Sequence, residues 1–354
     1  MIRSFNRNTV ASFGNDSFSV QFNHAVDFCK DWLSGKDQFA FHTSGSTGTP
    51  KKILLNRTQL EASAKATINA LQLAPDENIF VCLNTQLIAG TMMLVRGMML
   101  GCEIHIDEPT SDPLRNISEN HEYSFASFVP MQIHSVFSDN PENLSKLNRF
   151  RNILIGGASI NSLLEKKLSA LTTNIFHTYG MTETVSHIAL QRIGKEDSFT
   201  ILPGVEIKTD NRNCLEIKAG STDNKWIVTN DIVELENEKK FRVMGRADEI
   251  INSGGLKILP QKIEKALLET LSGLNIHIDD LFISSEKDEI LGERIIAVLC
   301  CPTISKTDKI RIFEKMTTIV SKYEVPKEIY SLPFFEKTSS GKTDKLRTIE
   351  LLKK

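Results

Sequence analysis

The feature that most constrains this chain is HTSGSTGTPKK at residues 42–52, a stretch rich in glycine and hydroxyl side chains. Gly45 and Gly48 can adopt positive φ angles at little steric cost, so successive backbone N–H groups can converge on one anion. The stretch adds hydroxyl donors and positive charge: Thr43, Ser44, Ser46, Thr47, Thr49, Lys51 and Lys52. A Walker A loop is excluded, because Pro50 stands where that motif requires glycine. The residue order predicts a phosphate-binding loop, whereas composition alone favours a flexible turn.

Length and charge set the broad class. The chain has 354 residues with 40% hydrophobic content, enough to bury a sizeable core in two domains. Its 42 basic and 44 acidic residues predict no nucleic-acid or anionic-membrane surface. The six cysteines show no metal-type spacing, and the N-terminus is polar, so we expect reduced thiols in a cytoplasmic protein. The most apolar run, residues 87–100, is interrupted by Arg96 and is shorter than the roughly 20 residues of a membrane span.

The order of the segments predicts an α/β layered domain. Residues 56–71 carry helical spacing, which predicts a helix that follows the phosphate loop directly. Strand-like segments then alternate with helical ones, at 79–83, 103–106, 124–129, 152–155 and 174–177. This alternation favours a largely parallel sheet. Beyond about residue 202, short strands predict a β-rich subdomain, at 204–208, 214–218, 226–229, 232–235 and 240–244.

The predicted domain boundary is GRAD at residues 245–248, where a glycine and a charged cluster separate two patterns. We expect an ATP- and acyl-binding domain over residues 1–245, with its β-rich subdomain at about 200–245. A small mobile α+β domain is expected over 246–354. Its segments are helices at 260–271 and 307–322, strands near 276–284 and 294–301, and a polar, basic tail at 337–345.

A second cluster, YGMTET at residues 179–184, suits a nucleotide. Tyr179 offers an aromatic face for a base, and Gly180 allows close backbone approach. Thr182 offers a hydroxyl for phosphate, and Glu183 a carboxylate for Mg²⁺. Taken alone, the cluster could equally be a strand-to-helix turn with Thr182 as its N-cap. Asp231, in VTNDIVEL, is by itself typical of a hairpin turn.

Together these motifs resemble the adenylate-forming superfamily of acyl- and aryl-CoA synthetases, luciferases and non-ribosomal adenylation domains. Thr43 to Lys51 resembles its phosphate loop, and YGMTET its Y-G-x-T-E element. GRADEIINSGGLKILPQKIE, at 245–264, resembles its hinge motif. IGGAS at 155–159 resembles its adenine-contacting strand end, and TSSGK at 338–342 its C-terminal T-x-x-G-K. The resemblance implies the fold of that superfamily with a shortened N-terminus.

The resemblance also implies a role for each matched residue. The ATP-binding residues would be Thr43, Ser44, Gly45, Ser46, Thr47, Gly48 and Lys51 on the phosphates, Gly157, Ala158, Tyr179 and Gly180 at adenine, and Asp231 and Arg246 at ribose or phosphate. The catalytic residues would be Thr182, Glu183, which also binds Mg²⁺, and Lys342, which bridges the substrate carboxylate and the α-phosphate. The hinge and the loop of the thiol step would be Asp248, Gly254, Gly255 and Lys257.

The implied reaction has two steps. A carboxylic acid and MgATP give an acyl adenylate and pyrophosphate, and the thiol of coenzyme A then displaces AMP. Within the superfamily the chain is similar to the o-succinylbenzoate:CoA ligases of menaquinone biosynthesis, in the spacing of IGGAS, YGMTET and LPGVEI and in SFVPMQI. Those ligases carry an arginine suited to a second substrate carboxylate, and Arg96 stands at that place. Alternatively, Arg96 reaches the surface or pairs with an acid such as Glu103.

Some positions depart from the family pattern. Lys52 and Asn230 each replace a glycine, Leu87 stands where a histidine is expected, and only 42 residues precede the phosphate loop. Activation of another aryl or acyl acid, loading of a carrier protein, and a binding relative without catalysis therefore stay open. The expected partners are a small carboxylic acid, ATP and coenzyme A, with no nucleic acid, no membrane span and a possible homodimer.

Overall fold

The computed structural model describes residues 2–14, 18–42, 52–75, 77–158, 160, 162–338 and 343–352. The chain divides into two compact units. The first comprises Met1–Lys208, Glu216–Val228 and Leu235–Arg242. The second comprises Thr209–Leu215, Thr229–Glu234 and Val243–Lys354.

In the first unit, strands alternate with helices as the sequence predicts. The elements are β1 (Arg3–Phe5), α1 (Val20–Leu33), β2 (Gln38–His42), β3 (Lys52–Asn56), α2 (Arg57–Leu71), β4 (Asn78–Val81), α3 (Ile88–Leu100), β5 (Glu103–Ile106), β6 (Tyr123–Phe128), α4 (Pro130–Ser138), β7 (Phe150–Ile155), α5 (Ser162–Ser169), β8 (Asn174–Gly180), β9 (His187–Arg192) and β10 (Phe199–Ile201).

The main sheet of this unit has the strand order β1-β5-β4-β6-β7-β8-β9-β10. Strands β4 to β8 pair in parallel, whereas β1, β9 and β10 pair antiparallel. Phe80, Phe125 and Ile153 are fully buried on the central strands, as expected where helices cover a parallel sheet. The predicted α/β layered fold is therefore confirmed. As predicted, the six cysteines form no disulfide, and all six are buried.

Strands β2 and β3 pair antiparallel in a separate two-stranded sheet, in which His42 lies opposite Lys52. The prediction that a helix follows the phosphate loop directly is therefore wrong, because β3 precedes α2. Leu55 of β3 is buried opposite Phe39 of β2, whereas the helix itself lies close to the predicted bounds of 56–71. Helix α2 begins only after Asn56, whose backbone N–H donates to Gln59 Oε1 at 3.0 Å.

The β-rich part contains β11 (Glu206–Thr209), β12 (Cys214–Lys218), β13 (Ile227–Asn237) and β14 (Lys240–Arg246), in the sheet order β14-β13-β12-β11. The two strands predicted at 226–229 and 232–235 are one continuous strand, β13, so the predicted break is wrong. Thr229, Asp231 and Val233 are buried, while the residues between them are not, which is the period-two pattern of a strand. Asp231 thus lies in mid-strand, not in a hairpin turn.

The rest of the second unit is α+β. Its elements are β15 (Ile251–Ser253), β16 (Leu256–Ile258), α6 (Pro260–Gly273), β17 (Asp280–Asp288), β18 (Gly292–Cys300), α7 (Lys306–Met316), β19 (Glu328–Leu332) and α8 (Lys345–Leu351). They form the sheet order β16-β15-β18-β17, with β19 parallel to β18. Ile263, Leu267, Ile312 and Met316 pack in a core with the sheet.

Two predictions for this unit are corrected. The helix predicted at 307–322 ends at Met316, because the hydroxyls of Thr317 and Thr318 donate to the carbonyls of Glu314 and Lys315 and compete with helix continuation. The tail predicted at 337–345 runs into helix α8, since the side chain of Asp344 caps that helix. None of the helices in the described ranges has the length and apolar character that a membrane span needs.

Candidate active site

Two glycine-containing segments meet where β7 and β8 end. These strands are parallel neighbours, with Ile155 opposite His177. A Cβ atom on Gly156 would lie 1.9 Å from Thr178 Oγ1, so only glycine allows this approach. Gly157 has a φ of 86°, which also favours glycine. Because ligands of open α/β sheets bind beyond the carboxyl ends of strands, this edge is a suitable nucleotide site.

Tyr179 is held at this edge by two phenylalanines. Its half-buried ring makes an edge contact with Phe241 at 5.1 Å between centroids and a tilted contact with Phe199 at 5.8 Å. Such contacts hold an aromatic ring in a defined orientation. Gly180 lies at a β-bulge, and a Cβ there would lie 2.4 Å from the carbonyl oxygen of Ser186. Stacking of Tyr179 on adenine stays a prediction.

A short turn with an unusual residue follows Gly180. Residues Thr182–Thr184 form one 3-10 turn that exposes Glu183, and strand β9 follows it. The interpretation of Thr182 as the N-cap of an α-helix is therefore wrong. The turn ends at Val185, whose φ of 68° and ψ of −55° are rarely adopted by β-branched residues. Such strain is typical of functional sites.

Arg96, on α3, is 2% exposed. Its Nη2 donates to Ser186 Oγ at 3.0 Å, its Nη1 lies 3.8 Å from the sulfur of Met93, and its Cζ lies 6.0 Å from the ring centroid of Phe125. Its Nε has no hydrogen-bond partner among the described residues. Burial lowers the pKa of Arg96 to about 9, so the guanidinium stays charged at neutral pH.

This environment decides between the alternatives for Arg96. It does not reach the surface, and it forms no ion pair with any carboxylate that the structure describes. Glu103 accepts a hydrogen bond from the side chain of Asn6 at 3.0 Å instead. A buried guanidinium with neutral partners and an unused donor is costly unless an anion joins it.

Two polar residues beside Arg96 were missed in the sequence. Ser186 Oγ lies 3.2 Å from His187 Nδ1, and His187 Nε2 lies 3.0 Å from Thr67 Oγ1 on α2. Burial and the charge of Arg96 lower the pKa of His187 well below its usual value, so the ring is neutral. Their position shortly after YGMTET could have indicated that Ser186 and His187 lie near the site. Nothing in the sequence indicates that they contact residues of α2 or α3.

Asp231, Arg246 and Asp248, the predicted ribose and hinge residues, form one ion-pair cluster in the second unit. Arg246 Nη1 donates to Asp231 Oδ1 at 3.0 Å, and its Nε and Nη2 donate to the two carboxylate oxygens of Asp248 at 2.9 Å each. Hydrogen bonding to Asp248 raises the pKa of Arg246, and Arg246 lowers the pKa of Asp248. Thus the structure brings these three residues together, while their roles with ATP stay predictions.

The predicted thiol-step loop is a tight hairpin. Ser253 lies opposite Leu256, and Gly254 and Gly255 have φ values of 57° and 79°, as a two-residue primed turn requires. Lys257 is exposed on β16. Two glycines adopt these positive φ angles at little steric cost, and a swing of the loop toward substrate stays a prediction.

Some predicted site residues lie outside the described residues: Thr43, Ser44, Gly45, Ser46, Thr47, Gly48, Lys51 and Lys342. The described residues nearest to Lys342 are anchored. Lys337 pairs with Thr343 in a β-bridge, and the carboxylate of Asp280 accepts hydrogen bonds from Thr343 Oγ1 at 3.0 Å and from Lys337 Nζ at 3.3 Å.

Comparison with known proteins finds similarity to AMP-binding enzymes and acid ligases. Residues 22–218 match a family described as AMP-binding enzyme. A solved structure from Dyadobacter fermentans, described as an acyl-CoA synthetase (AMP-forming)/AMP-acid ligase II-like protein, is 38% identical, with a TM-score of 0.68 over 99% of this chain and 100% of that chain. The 3,4-dihydroxybenzoate--[aryl-carrier protein] ligase of Bacillus anthracis is 27% identical over 92% of this chain and 78% of its own. The 2-succinylbenzoate--CoA ligase of Listeria monocytogenes is 23% identical over 89% and 70%.

Proposed function

Because the chain belongs to the AMP-binding enzyme family, we propose that it is an AMP-forming acid–thiol ligase. It activates a carboxylic acid with ATP to an acyl adenylate and pyrophosphate. It then transfers the acyl group to coenzyme A and releases AMP. The favoured acid is o-succinylbenzoate.

The observation that carries the choice of acid is the buried charge of Arg96. Its unpartnered Nε and its neutral contacts leave a charge that a second carboxylate would neutralise. An acid with two carboxylates can place one at the reacting phosphate and the other on the guanidinium. The planar fork of arginine suits bidentate binding of a carboxylate. A monocarboxylic acid would leave the buried charge unpaired.

The proposed roles of the nucleotide residues follow their chemistry. Tyr179, fixed by Phe199 and Phe241, stacks on the adenine ring. The carboxylate of Asp231 accepts the ribose hydroxyls, since an ionised carboxylate is an acceptor only. Lys342 stabilises the negative charge that develops on the α-phosphate when the acid attacks.

Magnesium fits this arrangement through Glu183. The side chain is exposed at the end of the turn, where one carboxylate can share the ion with nucleotide phosphates. The described residues hold no cluster of three or more acidic, histidine or cysteine side chains for a protein-only metal site. When bound, Mg²⁺ would neutralise phosphate charge, which is the usual role of this ion with ATP.

A second candidate for the acceptor is a carrier protein. The relative from Bacillus anthracis is named as an aryl-carrier protein ligase, and it is as similar to this chain as the coenzyme A ligase relative. Free coenzyme A distinguishes the two acceptors. If the enzyme uses coenzyme A, it yields a thioester of the expected mass with no added protein, whereas a carrier-dependent enzyme stops at the adenylate.

The acid is tested by ATP–pyrophosphate exchange with o-succinylbenzoate, benzoate and a long-chain fatty acid. We expect exchange with o-succinylbenzoate to be faster than with the other acids by at least two orders of magnitude. The reason is that a buried charge left without its partner costs about 3–5 kcal/mol. Equal rates with benzoate would contradict the choice of acid. No exchange with any acid would favour a binding relative without catalysis.

A further inference from the structure

A chain of buried hydrogen bonds links three elements behind Arg96. It runs from Arg96 on α3 to Ser186, then to His187 on β9 and to Thr67 on α2, with separations of 3.0, 3.2 and 3.0 Å. Thr67 Oγ1 lies 3.2 Å from the carbonyl oxygen of Ser63. Arg96, His187 and Thr67 are each less than a tenth exposed and Ser186 is half-buried, so the bond between His187 and Thr67 is the one best shielded from water.

The direction of each bond in this chain follows from the donors available. A guanidinium only donates, so Ser186 Oγ accepts from Arg96 and can give its own proton to His187 Nδ1. The neutral imidazole then carries its proton on Nε2 and donates to Thr67 Oγ1. Thr67 in turn donates to the carbonyl of Ser63. Every hydroxyl of the chain thus both accepts and donates, and a single tautomer of His187 satisfies the network.

Ser186 is the polar group that orients the guanidinium. The sulfur of Met93 and the ring of Phe125 also lie near the guanidinium, but neither sets the plane of the group as a short hydrogen bond does. Val185, whose backbone conformation is strained, directly precedes Ser186. Val185 is itself fully buried, which offsets part of this strain.

We propose that Ser186, His187 and Thr67 are positioning residues that hold Arg96 ready for the second carboxylate of the acid, and so set the affinity for dicarboxylic substrates. The inference rests on the proposed function. It assigns a role to Thr67, which belongs to α2 and to none of the predicted ATP-binding or catalytic segments. Removal of its hydroxyl leaves His187 Nε2–H without its acceptor and frees the ring to turn away from Ser186.

The test is the variant Thr67→Val, which removes one hydroxyl with little change in shape. We expect the KM for o-succinylbenzoate to rise about fivefold or more, since the change leaves the buried His187 Nε2–H without its acceptor. The kcat and the KM for ATP should stay within about twofold. Thr67→Ser keeps the hydroxyl and should restore the KM. Ser186→Ala, which acts one bond closer to Arg96, should raise the KM further, and Ser186→Thr should restore it.

Thr270→Val is a matched control in the second unit. Thr270 is 1% exposed on α6 and donates to the carbonyl of Ala266, as Thr67 does to Ser63, but its other contact is the sulfur of Met316. A loss of thermal stability common to Thr67→Val and Thr270→Val is the structural cost of the change. A rise in KM for the acid in Thr67→Val alone supports positioning.

Two outcomes separate this inference from the proposed function. If Arg96→Met raises the KM for o-succinylbenzoate but folded Thr67→Val and Ser186→Ala leave it within twofold, the positioning role is overturned and the acid assignment stands. If Arg96→Met itself leaves the KM unchanged, the acid assignment fails. A rise in the KM for ATP equal to that for the acid would also overturn the positioning role.

Discussion

Replacement of Arg96 by methionine should make the free protein more stable and the enzyme worse. In the free protein the guanidinium is buried, carries a charge and leaves its Nε unpartnered among the described residues. Methionine is unbranched, fills irregular space and would lie beside Met93. The same change removes the group that we propose binds the second carboxylate. Stability and activity should therefore move in opposite directions.

The two magnitudes follow from the contacts. The change removes a buried charge and an unsatisfied donor, which stabilises the free protein, but it also loses the hydrogen bond to Ser186 Oγ. The net effect should raise the free energy of unfolding by about 1–2 kcal/mol. For a unit of this size, each kcal/mol corresponds to roughly 2–4 °C in Tm. Loss of the partner of a buried carboxylate should cost about 3–5 kcal/mol of binding, or roughly a hundredfold to several thousandfold in the KM for o-succinylbenzoate.

Thermal unfolding without ligand and ATP–pyrophosphate exchange measure the two effects on the same preparation. Arg96→Lys is the control, because it keeps a charge but loses the planar fork, and it should raise the KM with no gain in Tm. A lower Tm for Arg96→Met together with an unchanged KM would refute the reasoning, since Arg96 would then be a structural residue with a satisfied charge.

Three further predictions concern other parts of the molecule. Gly180→Ala should lower the free energy of unfolding by about 1–3 kcal/mol in urea titrations, because the new Cβ would lie less than 3 Å from backbone atoms. A variant as stable as the wild type would contradict this close approach. Asp231→Asn should raise the KM for ATP about tenfold while Arg246 keeps its bonds to Asp248, and an unchanged KM would exclude ribose binding there. Burial and the neighbouring His121 lower the pKa of His105 to about 4, so the unfolded chain takes up protons first as the pH falls. The free energy of unfolding should therefore fall from about pH 6.5 towards pH 4. In urea titrations His105→Gln should flatten this slope, and equal slopes for the variant and the wild type would contradict the prediction.

Much of the fold is readable from the sequence, because short strand-like segments alternate with segments of helical spacing. The predicted strands at 103–106 and 214–218 have the observed bounds, and the others in the α/β part differ by a few residues at their ends. Helix α6 was also predicted from its proline start. In these segments local pattern and burial agree.

The errors arise where a long-range partner overrides local pattern. No strand was predicted at KILLN, because its extended conformation depends on pairing with β2. Asn230 and Asp231 look like turn residues, yet neighbouring strands keep β13 extended through them. Helix α8 was missed because its cap, Asp344, lies within a polar, basic stretch that is typical of a solvated tail.

The motifs of the candidate site were predicted from the sequence, but the hydrogen bonds that link Arg96 to other elements were not. The resemblance to the family indicated Arg96 as a substrate residue, but the sequence left exposure at the surface and pairing with an acid as alternatives. Only the packing of α2, α3 and β9 shows that Arg96 reaches Ser186 and that His187 reaches Thr67. These residues are far apart in the sequence, and none carries a recognisable spacing.

The most direct test of the account is a crystal structure of the enzyme with the adenylate of o-succinylbenzoate bound. We expect the free carboxylate of the ligand to accept two hydrogen bonds from the Arg96 guanidinium, within about 3 Å, while Ser186 Oγ stays on Nη2. A free carboxylate that lies in solvent or on another residue, with Arg96 unchanged and without an anion, would contradict it.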